Sequence, residues 1–80
     1  MTLYDFNKLS LEDMQKVVWE HGVFLDNYVT KEERLNCYAV HKFFVEVVYD
    51  AEHNVITEVR SFKSGHRLDK YATDLNNYFK

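Results

Sequence analysis

The sequence contains no proline, only two glycines and a single cysteine. Without a second cysteine, the chain cannot form an internal disulfide or a cysteine-rich zinc site. No apolar run approaches the ~20 residues of a membrane span. The N-terminus also lacks the basic start and apolar run of a signal peptide. We therefore expect a cytoplasmic protein with no membrane partner.

The sequence also lacks an excess of basic charge, since it contains ten basic and thirteen acidic residues and its net charge is −3. Nucleic-acid binders usually concentrate basic residues in a patch that neutralises phosphates, whereas the basic residues here are scattered. His21, His41, His53 and His66 lack the spacing of metal ligands. We predict no nucleic-acid partner, no metal or other cofactor and no catalytic residues, and so no enzymatic activity.

What the sequence does contain is enough apolar material for a core, with 46% hydrophobic and 16% aromatic residues. A chain of 80 residues predicts one globular domain spanning 1–80. A domain this short buries a smaller fraction of its surface on folding than a large domain does, and it often gains stability from a partner chain. Self-association is therefore a reasonable expectation.

The clearest local signal is a helix over 11–21. Ser10 is a favourable N-cap, and Asp13 lies three residues later, as in a capping box. Gly22 fits the position after the last helical turn, where a left-handed residue commonly ends a helix.

Beyond Gly22, the hydrophobic period changes from helical to alternating and then returns to helical. Strands rich in β-branched and aromatic residues are separated by polar turns. The second helical stripe consists of apolar residues three and four apart. The predicted strands span 23–29, 34–41, 43–50 and 55–63, and the second helix spans 66–79.

This order predicts an α+β domain, a helix followed by a four-stranded antiparallel meander and a C-terminal helix, αββββα, with both helices on one sheet face. Turn lengths set the register of the meander. The predicted cross-strand partners are Val40 with Phe43, Tyr38 with Val45, Leu25 with Tyr38, Val47 with Val59, Glu46 with Arg60, Phe44 with Phe62, and Val48 with Glu58.

The predicted outer sheet face carries too many apolar side chains for a surface that only meets water, and such patches usually mark binding sites. Glu46 and Arg60 lie among them, either as a solvated cross-strand ion pair or as a charged recognition spot. The candidate interaction surface consists of Phe24, Tyr28, Phe44, Glu46, Val48, Ile56, Arg60 and Phe62.

Several short motifs resemble a family of small uncharacterised bacterial proteins of the Bacteroidetes type. The resemblance covers about residues 5–75 and implies the helix–meander–helix outline. That family has no assigned activity, so the resemblance transfers no catalytic residue. The matching motifs are Trp19-Glu20-x-Gly22-x-Phe24-Leu25, Phe43-Phe44-Val45-Glu46-Val47-x-Tyr49-Asp50, Asn54-x-Ile56, Arg60-Ser61-Phe62 and Leu68-Asp69-x-Tyr71.

Two functions remain open at this point. The favoured one is a protein-interaction module that forms a homodimer through the outer sheet face. The alternative is a small-molecule binder or enzyme with a pocket between sheet and helices, lined by Tyr38, Tyr49, Tyr71 and Tyr78.

Overall fold

The computed structural model describes residues 1–63, 65–75 and 78–79. Two helices precede a four-stranded antiparallel sheet, so the domain is α+β as predicted. The strands follow one another in the order β1-β2-β3-β4. The elements are α1 (Leu3–Asn7), α2 (Leu11–His21), β1 (Gly22–Val29), β2 (Glu33–Val40), β3 (Phe43–Asp50), β4 (Ile56–Phe62) and a short 3-10 helix (His66–Leu68).

The helix α2 begins and ends where the sequence predicts. The Ser10 hydroxyl accepts a hydrogen bond from the Asp13 amide at 3.1 Å, which satisfies one free donor of the first turn. Gly22 does not adopt the predicted left-handed conformation, since its φ is −79° and its ψ is 144°. Glycine is needed here for space instead, because a Cβ atom would lie 2.5 Å from the Val18 carbonyl oxygen.

The helix α1 was not predicted. Thr2 is its N-cap, and its hydroxyl accepts a hydrogen bond from the Asp5 amide. The Asp5 carboxylate accepts one from the Thr2 amide in return, which completes a capping box. The helix delivers Phe6 to the core, where its ring packs against Phe43 at 5.4 Å between centroids. The Thr2-x-x-Asp5 spacing was the available signal for this helix.

The predicted register is confirmed for β2 with β3 and for the middle of β3 with β4, including Glu46 opposite Arg60. It is wrong for β1, where a β-bulge between Phe24 and Asp26 places Phe24, rather than Leu25, opposite Tyr38. A bulge adds one residue to one strand and so reverses which face the following side chains occupy. A second irregularity, at Tyr49, moves Ile56 to the face that carries Tyr49.

We call the sheet face beneath the two helices the helix face. Its buried side chains form one cluster with Phe6 and Val18 from the helices. The opposite face is the segment face, because the C-terminal segment, residues 65–75 and 78–79, lies across it. The helix face consists of Val40, Phe43, Val45 and Val47, and the segment face centres on Cys37, Phe44, Glu46 and Phe62.

The C-terminal segment differs from the prediction in structure and in position. The described residues of 66–79 form the 3-10 helix and turns rather than an α-helix, and 76–77 lie outside the described residues. The backbone bonds from Leu68 to Gly65 and from Tyr71 to Leu68 join residues three apart. Three-residue turns place Leu68 and Tyr71 on one side as well as an α-helix would, so the apolar spacing did not distinguish the two structures.

Candidate functional site

The eight residues of the predicted interaction surface are divided by the fold. Four of them, Phe44, Glu46, Val48 and Phe62, are buried and so are not exposed surface in this structure. The C-terminal segment packs on Phe44 and Phe62 and contacts Glu46. Arg60 and Ile56 are half-buried, and Ile56 packs against the cluster of the helix face. Phe24 and Tyr28, both on β1, remain exposed.

Glu46 is the most unusual side chain of the buried set. It lies in the middle of β3, where every residue from Phe43 to Val48 is buried, and it is 0% exposed. An ionised carboxylate is costly to bury unless cations and hydrogen-bond donors surround it. Its position therefore calls for partners, and the C-terminal segment supplies them.

Two consecutive residues of the segment meet the same carboxylate oxygen. The Tyr71 hydroxyl donates a hydrogen bond to Glu46 Oε2 at 2.5 Å, and Lys70 Nζ lies 2.5 Å from the same oxygen. The Lys70 ammonium also lies 5.2 Å from the centre of the Tyr71 ring, within range of a cation–π interaction. Lys70 and Tyr71 thus act together on one atom of the sheet.

The other carboxylate oxygen is less well satisfied. Within the described part of the chain, Glu46 Oε1 accepts no hydrogen bond. Arg60 Nη1 lies 4.0 Å from it, while Arg60 Nε donates to Glu58 Oε2. Arg60 is therefore a secondary partner of Glu46, although it stands directly opposite in the register.

Burial and negative charge suppress the acidity of the neighbouring groups. Burial, followed by the charge of Glu46, raises the pKa of the Cys37 thiol to about 12. Burial and the hydrogen bond to Glu46 likewise raise the pKa of the Tyr71 hydroxyl above its usual value. At neutral pH, Cys37 is a protonated, inaccessible thiol, which is unsuited to act as a nucleophile.

The middle of the segment is tied to β1. The Thr73 amide donates to Asp26 Oδ2 at 3.1 Å, and this bond lowers the pKa of the Asp26 carboxyl. The Tyr71 ring meets the Tyr28 ring edge-on at 6.4 Å. Closer to β4, Phe79 packs on Phe44 at 4.8 Å. The segment thus crosses the whole width of the sheet.

A second group of aromatic side chains lies at the β1 edge of the helix face. Tyr38 contacts the Trp19 ring at 5.8 Å and the Phe24 ring at 5.7 Å, both edge-on. Trp19 and Phe24 are each about half exposed, at 51% and 55%. The helix α2 therefore leaves part of this face uncovered beside the edge strand.

The four tyrosines of the alternative pocket do not converge. Tyr38 and Tyr49 pack against the cluster of the helix face, whereas Tyr71 and Tyr78 contact residues of the segment face. The sheet separates the two pairs, so they do not line one cavity.

Sequence reasoning placed Glu46 and Arg60 correctly but missed Lys70, Tyr71 and Cys37 as members of the same cluster. The signal for Tyr71 was its place in the apolar stripe with Leu68 and Leu75. Nothing in that stripe indicates which sheet face it covers.

In the part of the chain that the structure describes, no group of three histidine, cysteine, aspartate or glutamate side chains is placed to hold a metal ion. The same residues contain no helix with the length and apolar character of a membrane span. No protein-family model, curated protein or solved structure matches the chain in the comparisons.

Proposed function

We propose that this domain is a small cytoplasmic protein-interaction module that pairs with a second copy of itself through the free edge of β1. The observation that carries the proposal is the exposure of that strand. Val23, Phe24, Tyr28 and Val29 are all exposed on β1, which stands at the end of the strand order.

An edge strand presents unpaired backbone donors and acceptors, and proteins usually protect such edges with short strands, charges or bulges. β1 has eight residues, one bulge and one acidic side chain, Asp26. That acid is already engaged by Thr73. The edge is therefore long and only partly protected, as in proteins that extend a sheet by adding a strand.

A second copy is the partner that best fits this edge. Two β1 strands paired antiparallel about a two-fold axis would satisfy both edges with the same residues. They would also bring together the half-exposed Trp19 and Phe24 of each copy, and large aromatic side chains commonly anchor interfaces. The family resemblance to small bacterial proteins remains a prediction and adds no partner to this proposal.

Analytical ultracentrifugation of single-residue variants tests the proposal. Wild type is expected to sediment near twice 9.6 kDa at high micromolar concentration. Phe24→Lys and Val29→Lys, which place a charge on the exposed edge, should shift the population toward monomer. Tyr4→Lys is the matched control, because Tyr4 is an exposed aromatic residue on α1.

A wild-type protein that stays monomeric at that concentration would contradict the proposal. So would a Tyr4→Lys variant that dissociates as readily as Phe24→Lys. Circular dichroism of each variant establishes that the fold is retained.

A further inference from the structure

We propose that the helix face carries, at the end that α1 and α2 do not cover, a binding site for a small hydroxycarboxylate with a single negative charge. The site is a depression of about 290 Å³. It goes beyond self-association through β1 and does not depend on it. The residues that line the depression are Asn27, Arg34, Asn36, Tyr49 and Asn54.

The strand register brings four of these five side chains onto one face. Asn27 lies opposite Asn36 in the pairing of β1 with β2, and Arg34 lies opposite Tyr49 in the pairing of β2 with β3. Asn36 is also opposite Val47, which belongs to the buried cluster of the helix face. Directly opposed residues point to the same side of a sheet, and so do residues two apart on one strand. The four side chains therefore share the helix face.

The two strand asparagines are the first support for a binding site. Asparagine is depleted in β-strands, and the same face carries Val45 and Val47 where the helices cover it. Asn27 and Asn36 nevertheless form a cross-strand pair. Residues that depart from the local preference of a strand are found most often where function requires them. The pair supplies amide donors and acceptors to the depression.

The second support is the state of Arg34, the charged residue among those that line the depression. Within the described ranges its guanidinium forms no ion pair. It lies 5.6 Å from the centre of the Tyr49 ring. On the other face, by contrast, Arg60 is engaged by Glu58 and Glu46. A guanidinium held over a tyrosine ring keeps the N–H groups in its own plane available for an anion.

The acidic residues beside this site in the sequence belong to the other side of the sheet. Glu33 and Asp50 adjoin Arg34 and Tyr49, and strand alternation directs them to the opposite face. Together with Glu52 they line a separate depression. The site of Arg34 is therefore locally positive in a chain whose net charge is −3.

The lining defines the class of ligand. One carboxylate matches the charge of Arg34, and its two oxygens match the paired N–H groups of a guanidinium. A phosphate monoester carries roughly 1.5 to 2 negative charges at pH 7, which exceeds the single positive charge of the site. The Asn27 and Asn36 amides both donate and accept, so they suit a hydroxyl group. A volume of about 290 Å³ is at the low end for small-molecule sites and limits the ligand to a small molecule.

NMR titration of the isotope-labelled protein with lactate, a hydroxycarboxylate of one negative charge, tests the site. We expect saturable shifts of the Arg34 Nε–H signal and of the Asn27 and Asn36 side-chain amides at millimolar lactate. Arg34→Gln should weaken binding by about tenfold or more, because it removes a charge-assisted pair of hydrogen bonds. Arg67→Gln is the matched control, since it removes the same charge from an exposed position of the C-terminal segment.

Several outcomes would overturn the inference. Shifts that rise without saturation, or equal binding by wild type and Arg34→Gln, would show that the depression is not a site. A loss in Arg67→Gln as large as in Arg34→Gln would show that only the overall charge matters. Phosphate is titrated in parallel at the same ionic strength, and binding tighter than that of lactate would exclude the carboxylate assignment. Acetate lacks the hydroxyl and should bind more weakly than lactate, and equal binding would exclude the assigned role of the asparagines.

The same titration of Phe24→Lys separates this inference from self-association. Phe24 does not line the depression, so this variant should bind lactate as tightly as wild type, even where pairing through β1 is lost. A loss of binding in Phe24→Lys would mean that two copies form the site together and would overturn the site assigned to one chain. Circular dichroism of each variant establishes that the fold is retained.

Discussion

The helix face of the sheet is closed by side chains from two capped helices, whereas the segment face is closed by a stretch whose regular structure is three residues of 3-10 helix. The buried cluster of the helix face is apolar. The segment face encloses Glu46 and its partners Lys70 and Tyr71. The two faces of the sheet are thus covered by different interactions. Burial of apolar area holds the helices on the helix face, whereas a buried polar contact sets the position of the segment on the segment face.

This difference has a consequence for specificity. Apolar contacts are non-directional, and their contribution scales with the area removed from water. A buried ion pair adds little net stability, because desolvation offsets the attraction. An incorrectly placed segment would still be unfavourable, because it would remove Lys70 and leave Glu46, among the described residues, with only Arg60, 4.0 Å away, as a cation. We therefore expect the stability of the fold to fall when side-chain volume is removed from the helix face, and when charge is left unbalanced on the segment face.

The largest effect should come from the helix face. Phe43→Ala removes a ring that is 1% exposed and packs on Phe6, so the free energy of unfolding should fall by about 3–5 kcal/mol. Urea denaturation followed by circular dichroism measures the loss. Lys31→Ala, in an exposed turn, is the control and should change stability by no more than roughly 0.5 kcal/mol. Equal midpoints for the two variants would mean that the helix face is not the main core.

On the segment face, removing the Lys70 charge alone should lower stability more than replacing the whole polar cluster of Lys70, Glu46 and Tyr71 by apolar side chains. Lys70→Met takes away the cation that lies 2.5 Å from Glu46 Oε2 and should cost about 3 kcal/mol. Adding Glu46→Leu and Tyr71→Phe to the same chain removes the stranded acid and its donor. The triple variant should recover most of the loss. Thermal denaturation of both variants decides this, and a triple variant weaker than Lys70→Met would show that the cluster itself stabilises the fold.

A smaller loss is expected where only methyl groups are removed. Val47→Ala, on the fully buried part of β3, should cost about 1–3 kcal/mol. Val23→Ala shortens the same residue type on the exposed edge strand and should have little effect on stability. Both midpoints come from the same urea titration, and a loss of similar size in Val23→Ala would contradict the assigned burial.

The thiol of Cys37 is protonated in both the folded and the unfolded state at neutral pH, and its raised pKa should make the stability of the fold sensitive to alkali. The folded state holds the thiol proton more tightly than the unfolded state, whose pKa is near 9.0. The associated stability is therefore complete below about pH 9 and is lost as the pH rises toward about 12. Cys37→Val should flatten the dependence of the unfolding midpoint on pH in this range, and an unchanged slope would contradict the burial of the thiol.

Most of the meander could be predicted from the sequence because alternation, turn length and strand composition all indicate the same register. The bounds of α2 follow from the Ser10 cap, and those of β3 follow from a run of Phe and Val that only Glu46 interrupts. The bulge in β1 could not be predicted, because a bulge changes the face of Phe24 without changing the pattern of residue types.

The candidate site was predicted in part, for a related reason. To predict that Glu46 lies opposite Arg60, only the register of β3 and β4 is needed, and local turns determine that register. Pairing Glu46 with Lys70 requires the path of a long-range connection across the sheet. The stripe of Leu68, Tyr71 and Leu75 fits either face by its spacing alone, and the charge on Glu46 is the feature that distinguishes them.

The most direct test of this account is the position of Tyr71 relative to the sheet, measured by proton–proton NOEs in the wild-type protein. The account predicts contacts from the Tyr71 ring to Cys37 and Tyr28, with a slowly exchanging hydroxyl proton bound to Glu46. Ring protons of Tyr71 with unfolded-chain chemical shifts and no contact to β1 or β2 would contradict it, because the segment face would then be uncovered.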